Sequence, residues 1–328
     1  MLRITDRFDS GNIVVVDASK ADDVRLEIRP DIGDEHYQWF HFRVSGAKGK
    51  RLRWRMLNAA GASYEKGWPG YRACASYDRE TWFRIDTTYA DGELVVEHEV
   101  AHDTIWYAYF APYSWERHQR IVGQMQQHGR LEVLGETLDG HSLDLLQFGD
   151  GPTPVWILGR QHPGESMAEW LIEGVLDRLT DPAESLSRRL LTDATFYVVP
   201  NMNPDGSVRG HLRTNAAGKN LNRVWHEPQM DTEPEVALVK ARMGETGVDL
   251  CLDVHGDEAL PYNFIAGPDG VAGLPDHVLE LRDVYCEALV RACPDFQTAH
   301  GYPTAPVGQA NLPTVTNQIA HAIGPTAD

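Results

Sequence analysis

The chain has 328 residues, 42% of them apolar, and a formal net charge of −18. That length fits one large domain or two ordinary ones with real cores. No apolar run approaches the ~18 residues a membrane span needs, and the acidic balance argues against nucleic-acid binding, which requires lysines and arginines to neutralise phosphates. The amino-terminal stretch MLRITDRFDSGNIVVVDASK carries early charges and no small-residue cleavage site, so it is not expected to be a secretory signal. Cys74, Cys251, Cys286 and Cys293 are scattered, with no C-x-x-C pair, which points to a reducing, cytoplasmic location. Cys251 falls in an expected buried strand and reads as packing.

Residues 1–122 alternate apolar and polar positions in short stretches: NIVVVDAS, VRLEIRP, YQWFHFRVSG, RLRWRML, TWFRIDTTYADGELVVEHEV and TIWYAYFAP. Strands of this kind bury one face and wet the other. With turn signals at Ser45-Gly46 and Asp91-Gly92, the pattern predicts an all-β sandwich whose core takes Trp39, Trp54, Trp82 and Trp106. SWERHQRIVGQMQQHG then reads as a linking helix, and the rhythm changes over 123–328. A hairpin (RLEVLGETLDGHSLDLLQFGDG) precedes the strand TPVWILG, a helix over 166–179, a helical stretch PAESLSRRLLTDA and the strand TFYVV. A long Gly/Asn/Arg loop over 205–224 follows, then the helix PEVALVKARMGETG, the strand DLCLDV and the helix LPDHVLELRDVYCEALVRACP. Strands alternating with helices predict an α/β domain with a largely parallel or mixed sheet.

Sites in such sheets gather beyond the carboxyl ends of the strands. Three polar clusters fall there: GRQHPGES after TPVWIL, PNMNPDG after TFYVV, and HGDE after DLCLDV. His162 and Glu165 lie three apart, which places them on one side of a first helical turn with Pro163 at its start. Alone, the pair reads equally as a helix start with a glutamate favoured by the dipole. With His255 as a third ligand it reads as a zinc site that keeps one position open. The loop adds Arg209, Arg213, Lys219 and Arg223 among Asn215, Asn220 and Asn222. Asn222-Arg223 sets an amide beside a guanidinium, suited to fork a carboxylate, and a second arginine can stabilise an oxyanion. Together these imply hydrolysis of an amide beside a free carboxylate.

H-P-G-E, N-P-D-G, GHLRTNAAGKNLNR and the strand-terminal His-Gly resemble the zinc metallocarboxypeptidases. YQWFHFRVSG and YFAPYSWERHQ resemble the amino-terminal β-sandwich of the cytosolic carboxypeptidase branch. The resemblance covers nearly the whole chain. It implies a β-sandwich followed by a mixed-sheet α/β zinc carboxypeptidase domain, one zinc ion per chain, and peptide or protein C-termini as substrate. By resemblance His162, Glu165 and His255 match the zinc ligands, and Asn222 and Arg223 match the pair that holds the terminal carboxylate. Arg213 matches the arginine that polarises the scissile carbonyl, with Arg209 the weaker choice. Asn220 stands where the secreted branch has an aspartate oriented toward a zinc histidine, which leaves that histidine less basic.

One part of the pattern is not matched. The family's catalytic glutamate lies on a late strand after a segment resembling ANLPTVTNQIAH, 310–321, and here only AIGPTAD follows His321. The last glutamate is Glu287; Asp295 and Asp328 are the only later carboxylates. Three readings follow: a chain that stops short of the base, an inactive zinc- or peptide-binding relative, or substitution by Asp257 or Glu258. A zinc amidohydrolase acting on N-acyl amino acids is a further alternative. Tyr302 is a weak candidate for the tyrosine that caps substrate in many relatives.

Overall fold

The computed structural model describes residues 2–322. The first half holds the strands β1 (Arg3–Thr5), β2 (Val14–Asp17), β3 (Val24–Glu27), β4 (His41–Ser45), β5 (Arg51–Met56), β6 (Cys74–Ser76), β7 (Phe83–Arg84), β8 (Thr87–Ala90), β9 (Glu93–Glu99) and β10 (Thr104–Ala108). They form two five-stranded sheets, ordered β1-β4-β10-β6-β7 and β2-β3-β5-β9-β8. The sheets pack face to face through alternate residues. Phe42 of β4 and Tyr107 of β10 meet Trp54 of β5 edge-on, with ring centroids 5.7 and 5.5 Å apart. Alternation also corrects part of the expected core. Trp39 and Trp54 are buried, but Trp106 points away from Ile105 and Tyr107 to the outer face of β10, where Arg43 lies over its ring. Trp82 is likewise only half-buried, bonded to the Arg79 carbonyl in a turn.

Helix α1 (Trp115–Met125) links the halves, its amino end capped by the Ser114 hydroxyl. The second half contains β11 (Arg130–Glu136), β12 (Ser142–Phe148), β13 (Thr153–Gly159), α2 (Met167–Thr180), α3 (Ser185–Asp193), β14 (Ala194–Val199), α4 (Pro204–Arg209), α5 (Pro234–Thr246), β15 (Leu250–Val254), α6 (Asp276–Ala292) and α7 (Val315–Ala322). Its sheet runs β11-β12-β14-β13-β15, with β13 parallel to both β14 and β15 and the hairpin β11–β12 antiparallel. Helix α2 lays Ala168, Ile172, Leu176 and Leu179 on the sheet, the apolar stripe of an amphipathic helix.

Two local expectations change. The 205–224 segment opens as helix α4 rather than loop, because Asn203 caps it by accepting from Gly206 N–H, Pro204 presets the first turn, and Gly210 ends it in the left-handed region. Cys251 is half-buried rather than enclosed, since β15 is the last strand of its sheet among the described residues. Residues 323–328, which do not read as a strand in the sequence, lie outside the described residues, Asp328 among them.

The two halves interlock. Leu212 is buried in the sandwich core cluster. Ser10 N–H donates to Val208 O at 2.9 Å, and the Asn12 amide donates to Gly210 O at 3.0 Å.

Candidate metal centre and substrate site

Because β13, β14 and β15 run parallel, the loops leaving their carboxyl ends share one edge, with the β13 loop in the middle. His162 and Glu165 do not occupy the first turn of α2. They sit in a separate turn closed by Glu165 N–H to His162 O at 3.1 Å, and the helix starts at Met167. Pro163 is therefore the second residue of a β-turn, another position its fixed φ favours. The turn still puts both side chains on one side. Arg160 sets its path: its backbone is left-handed, at φ 57°, and its Nε donates to Pro163 O at 2.9 Å. Gly164 brings the neighbouring loop into contact, since its N–H donates to Leu212 O at 2.9 Å and a Cβ would lie 3.0 Å from that same oxygen.

His162, Glu165 and His255 converge, each offering a ligand atom, and the three atoms lie within 4.8 Å of one another. His162 Nδ1 and His255 Nδ1 each lie 2.7 Å from a different oxygen of Glu165, and Gly256 N–H donates to the second oxygen at 2.9 Å. Each imidazole is held from behind through its other nitrogen. His162 Nε2 is 3.0 Å from Asn220 Oδ1, and His255 Nε2 is 2.7 Å from Asp253 Oδ2. Two ring nitrogens and one carboxylate facing inward, each ring fixed by an outer acceptor, is the donor set and support a catalytic zinc ion takes. These residues fit the metal.

The three groups also set one another's charge. Burial favours the neutral form of His162 and lowers its pKa. Burial alone would raise Glu165, but the His162 and His255 imidazoles hold its carboxyl well below the usual range. Burial would lower His255, yet Asp253 and Glu165 raise it well above the ordinary histidine value. The site thus keeps a buried carboxylate ionised.

The other expected residues are placed unequally. Asn220 supports His162 as its position suggested. Arg213 reaches the site and donates from Nη1 to the Tyr64 hydroxyl. Arg223 is exposed, its Nη1 donating to Asn222 O at 2.6 Å; partial desolvation and the nearby Arg213 guanidinium lower its pKa. Asn222 is engaged: its amide nitrogen lies 3.0 Å from His255 Nε2, and its oxygen accepts from Val315 N–H at 3.0 Å. Arg209 is not brought to the cluster. It forks Asp139, with nitrogen–oxygen distances of 2.7 and 2.6 Å. Tyr302 donates to Asp257 Oδ2 at 2.6 Å, and the other Asp257 oxygen accepts from Ala259 and Leu260 N–H. Glu258 is pushed up to about 8, first by burial and then by the Glu165 charge.

N-P-D-G is structural. Besides capping α4, Asn203 donates to Gln161 O at 3.0 Å in the metal loop. Asp205 accepts from Thr137 Oγ1 and Asp139 N–H in the β11–β12 turn. Sequence reasoning missed Asp253, although it lies two residues before His255 on a strand and so shares its face. It also missed Tyr64, whose approach from the sandwich carries no local signal.

Comparison with known proteins agrees with this architecture. Residues 4–110 match the cytosolic carboxypeptidase N-terminal domain, and residues 118–260 match zinc carboxypeptidase. The chain is 43% identical to a metallo-carboxypeptidase of Burkholderia cenocepacia, covering 98% of this chain and 87% of that one with a TM-score of 0.96. Its identity to a metallo-carboxypeptidase of Pseudomonas aeruginosa, solved with (2-guanidinoethylmercapto)succinic acid, is also 43%, with the same coverage and a TM-score of 0.95. Human cytosolic carboxypeptidase 1 is 26% identical over 73% of this chain, which spans 24% of that protein. Fold and site define a metal-dependent hydrolase. The chain belongs to the zinc carboxypeptidase family and carries the N-terminal domain of the cytosolic carboxypeptidases.

Proposed function

We propose that the protein releases C-terminal residues from peptides or proteins, with one zinc ion per chain held by His162, Glu165 and His255. The observation that carries this reading is the convergence of those three donors with both imidazoles backed by outer acceptors. When bound, zinc would supply Lewis acidity and a water of near-neutral pKa. Around it, Arg213 is assigned to the developing charge on the scissile carbonyl oxygen. Arg223 supplies the positive charge for the terminal carboxylate, and Asn222, whose amide donates to Asp253 at 3.4 Å and whose oxygen accepts from Val315 N–H, ties that arginine's loop to the strand behind His255. Arg209, forked on Asp139, holds the loop rather than the substrate.

The proton acceptor is the open part of this reading. Asp257 accepts from Tyr302 and from two turn N–H groups, and burial together with the Glu165 charge raises the Glu258 pKa to about 8. Neither suits a general base there, so no carboxylate among the described residues receives that role. The alternative, in which this chain binds zinc and peptide C-termini without turnover, is separated from the first reading by the turnover assay below. We divide the chain into a sandwich domain, 1–122, and a carboxypeptidase domain, 123–328, since the sandwich strands end at Ala108 and the next sheet starts at Arg130. A cytoplasmic location is supported by four free cysteines and by relatives named cytosolic; no described helix is long and apolar enough to cross a membrane.

Metal analysis is expected to find one zinc ion per chain, lost in His162→Ala and His255→Ala; zinc-free protein from zinc-replete preparation sinks the proposal. C-terminal peptides are expected to be preferred over N-acyl amino acids, and the reverse preference would make the protein an N-acyl amidohydrolase. Turnover by this chain, abolished in His162→Ala, would refute the binding-only reading and show that a base is present.

A further inference from the structure

Arg213 is built by the opposite half of the molecule. Asp31, buried at the edge of the sandwich, accepts from three successive N–H groups, those of Leu212, Arg213 and Thr214, at 2.6, 2.8 and 2.9 Å, and from the Thr214 hydroxyl at 3.1 Å. This fixes the backbone from which the guanidinium projects. At its far end the guanidinium meets Tyr64: Nη1 donates to the hydroxyl, and the guanidinium carbon stands 5.6 Å from the ring centroid, a cation–π arrangement.

Tyr64 is itself clamped. Gln38, fully buried, accepts from Tyr64 N–H at 2.7 Å and donates to Tyr64 O at 3.1 Å. Three residues on, Gly67 packs on the loop after His255 so closely that a Cβ would lie 2.3 Å from Glu258 O. A sandwich turn is thus wedged against the metal loop with no space for a side chain.

The hydroxyl accepts from Arg213 and, among the described residues, donates to no protein acceptor. We propose that Tyr64 is a positioning residue for Arg213 and offers its own hydroxyl proton to the bound peptide, so that the amino-terminal half completes the active site. This rests on the carboxypeptidase reading. Burial, with Arg213 opposing and Glu258 and Glu165 adding, pushes the hydroxyl up to about 12. The proton therefore stays in place at neutral pH, available as a donor beside a cation that an acceptor oxygen would also seek.

The test uses zinc-loaded full-length protein and (2-guanidinoethylmercapto)succinic acid as probe, followed by calorimetry. Tyr64→Phe keeps the ring and removes the hydroxyl. It is expected to weaken the probe about tenfold, with zinc content and Tm unchanged. Tyr64→Phe in an Arg213→Ala background is expected to cost less than in the wild-type background, because its positioning effect is gone while its direct hydrogen bond to the probe remains to be lost. Probe affinity within twofold of wild type in Tyr64→Phe, or full additivity in the double variant, overturns the proposal. A ligand-free readout separates this from failure of the carboxypeptidase reading: the Arg213 Nε–H resonance of 15N-labelled protein is expected to move in Tyr64→Phe. An unmoved resonance overturns the positioning role even if wild-type protein fails to bind the probe.

Discussion

Two buried histidine–carboxylate centres are built on glutamates four residues apart, Glu165 before helix α2 and Glu169 within it, and they solve the same problem differently. Around Glu169, Arg160 Nη1 lies 2.5 Å from one oxygen and His118 Nδ1 2.8 Å from the other, with Asp144 3.4 Å behind the histidine and the Asn201 amide 3.2 Å away. Around Glu165 there are two imidazoles and a backbone N–H but no arginine. A buried carboxylate must be matched by positive charge. In the first centre the chain supplies that charge permanently, because a guanidinium cannot release its proton. In the second the partners are imidazoles, which can be neutral ligands. The closed centre braces the open one, since the same Arg160 that pairs with Glu169 also holds Pro163 O and Tyr113 O.

The contrast breaks most visibly at Glu169. Glu169→Gln strands Arg160 and His118 in the interior and is expected to cost about 3–5 kcal/mol of stability, read from urea midpoints; a loss below about 1 kcal/mol would dissolve the distinction. The matching Glu165→Gln change is expected to cost the metal-free protein less than about 1.5 kcal/mol, because its imidazoles can shed protons.

A pH series sharpens the same point. Burial alone would lower His118, but Asp144 from β12 and Glu169 from α2 raise it to about 9, while Trp115 of its own helix only stacks on the ring. A raised folded-state pKa stabilises the protein fully below the unfolded value of ~6.5, and the benefit fades as pH rises through 9. Roughly 3 kcal/mol should be lost across that window, and His118→Gln should flatten that part of the profile.

The open centre answers to metal rather than to denaturant. Glu165→Gln is expected to weaken zinc at least ~100-fold, and Asp253→Asn, which keeps the shape behind His255 and removes the charge, about 10–100-fold. Competition with a chelator measures both. The smallest effect is expected at Asn220→Asp, which gives His162 a charged outer partner and should tighten zinc by a few-fold; weakened binding would mean that the Asn220 contact does not support the ligand.

Much of this was legible in the sequence because it is local. The change from two-residue alternation to strand–helix alternation separates sandwich from α/β sheet, since each periodicity is set by one element's own geometry. The candidate ligands His162, Glu165 and His255 were legible from their residue types and from where α/β sheets place their loops, although the turn that holds the first two lies before the helix rather than in it. Asp253 was within reach of the same reasoning, through strand alternation.

What the sequence could not determine is what depends on meetings between distant segments. Arg209, at the end of α4, and Arg213, just beyond it, stand four apart with the same side chain. Only the fold sends one to Asp139 and the other to Tyr64, because Asp31, 182 residues from Arg213, fixes the backbone between them. Glu165 and Glu169 are likewise chemically identical, and only packing gives one an arginine and the other two imidazoles. Charge and hydrogen-bonding capacity belong to the residue, but what that capacity is spent on belongs to its neighbours in space.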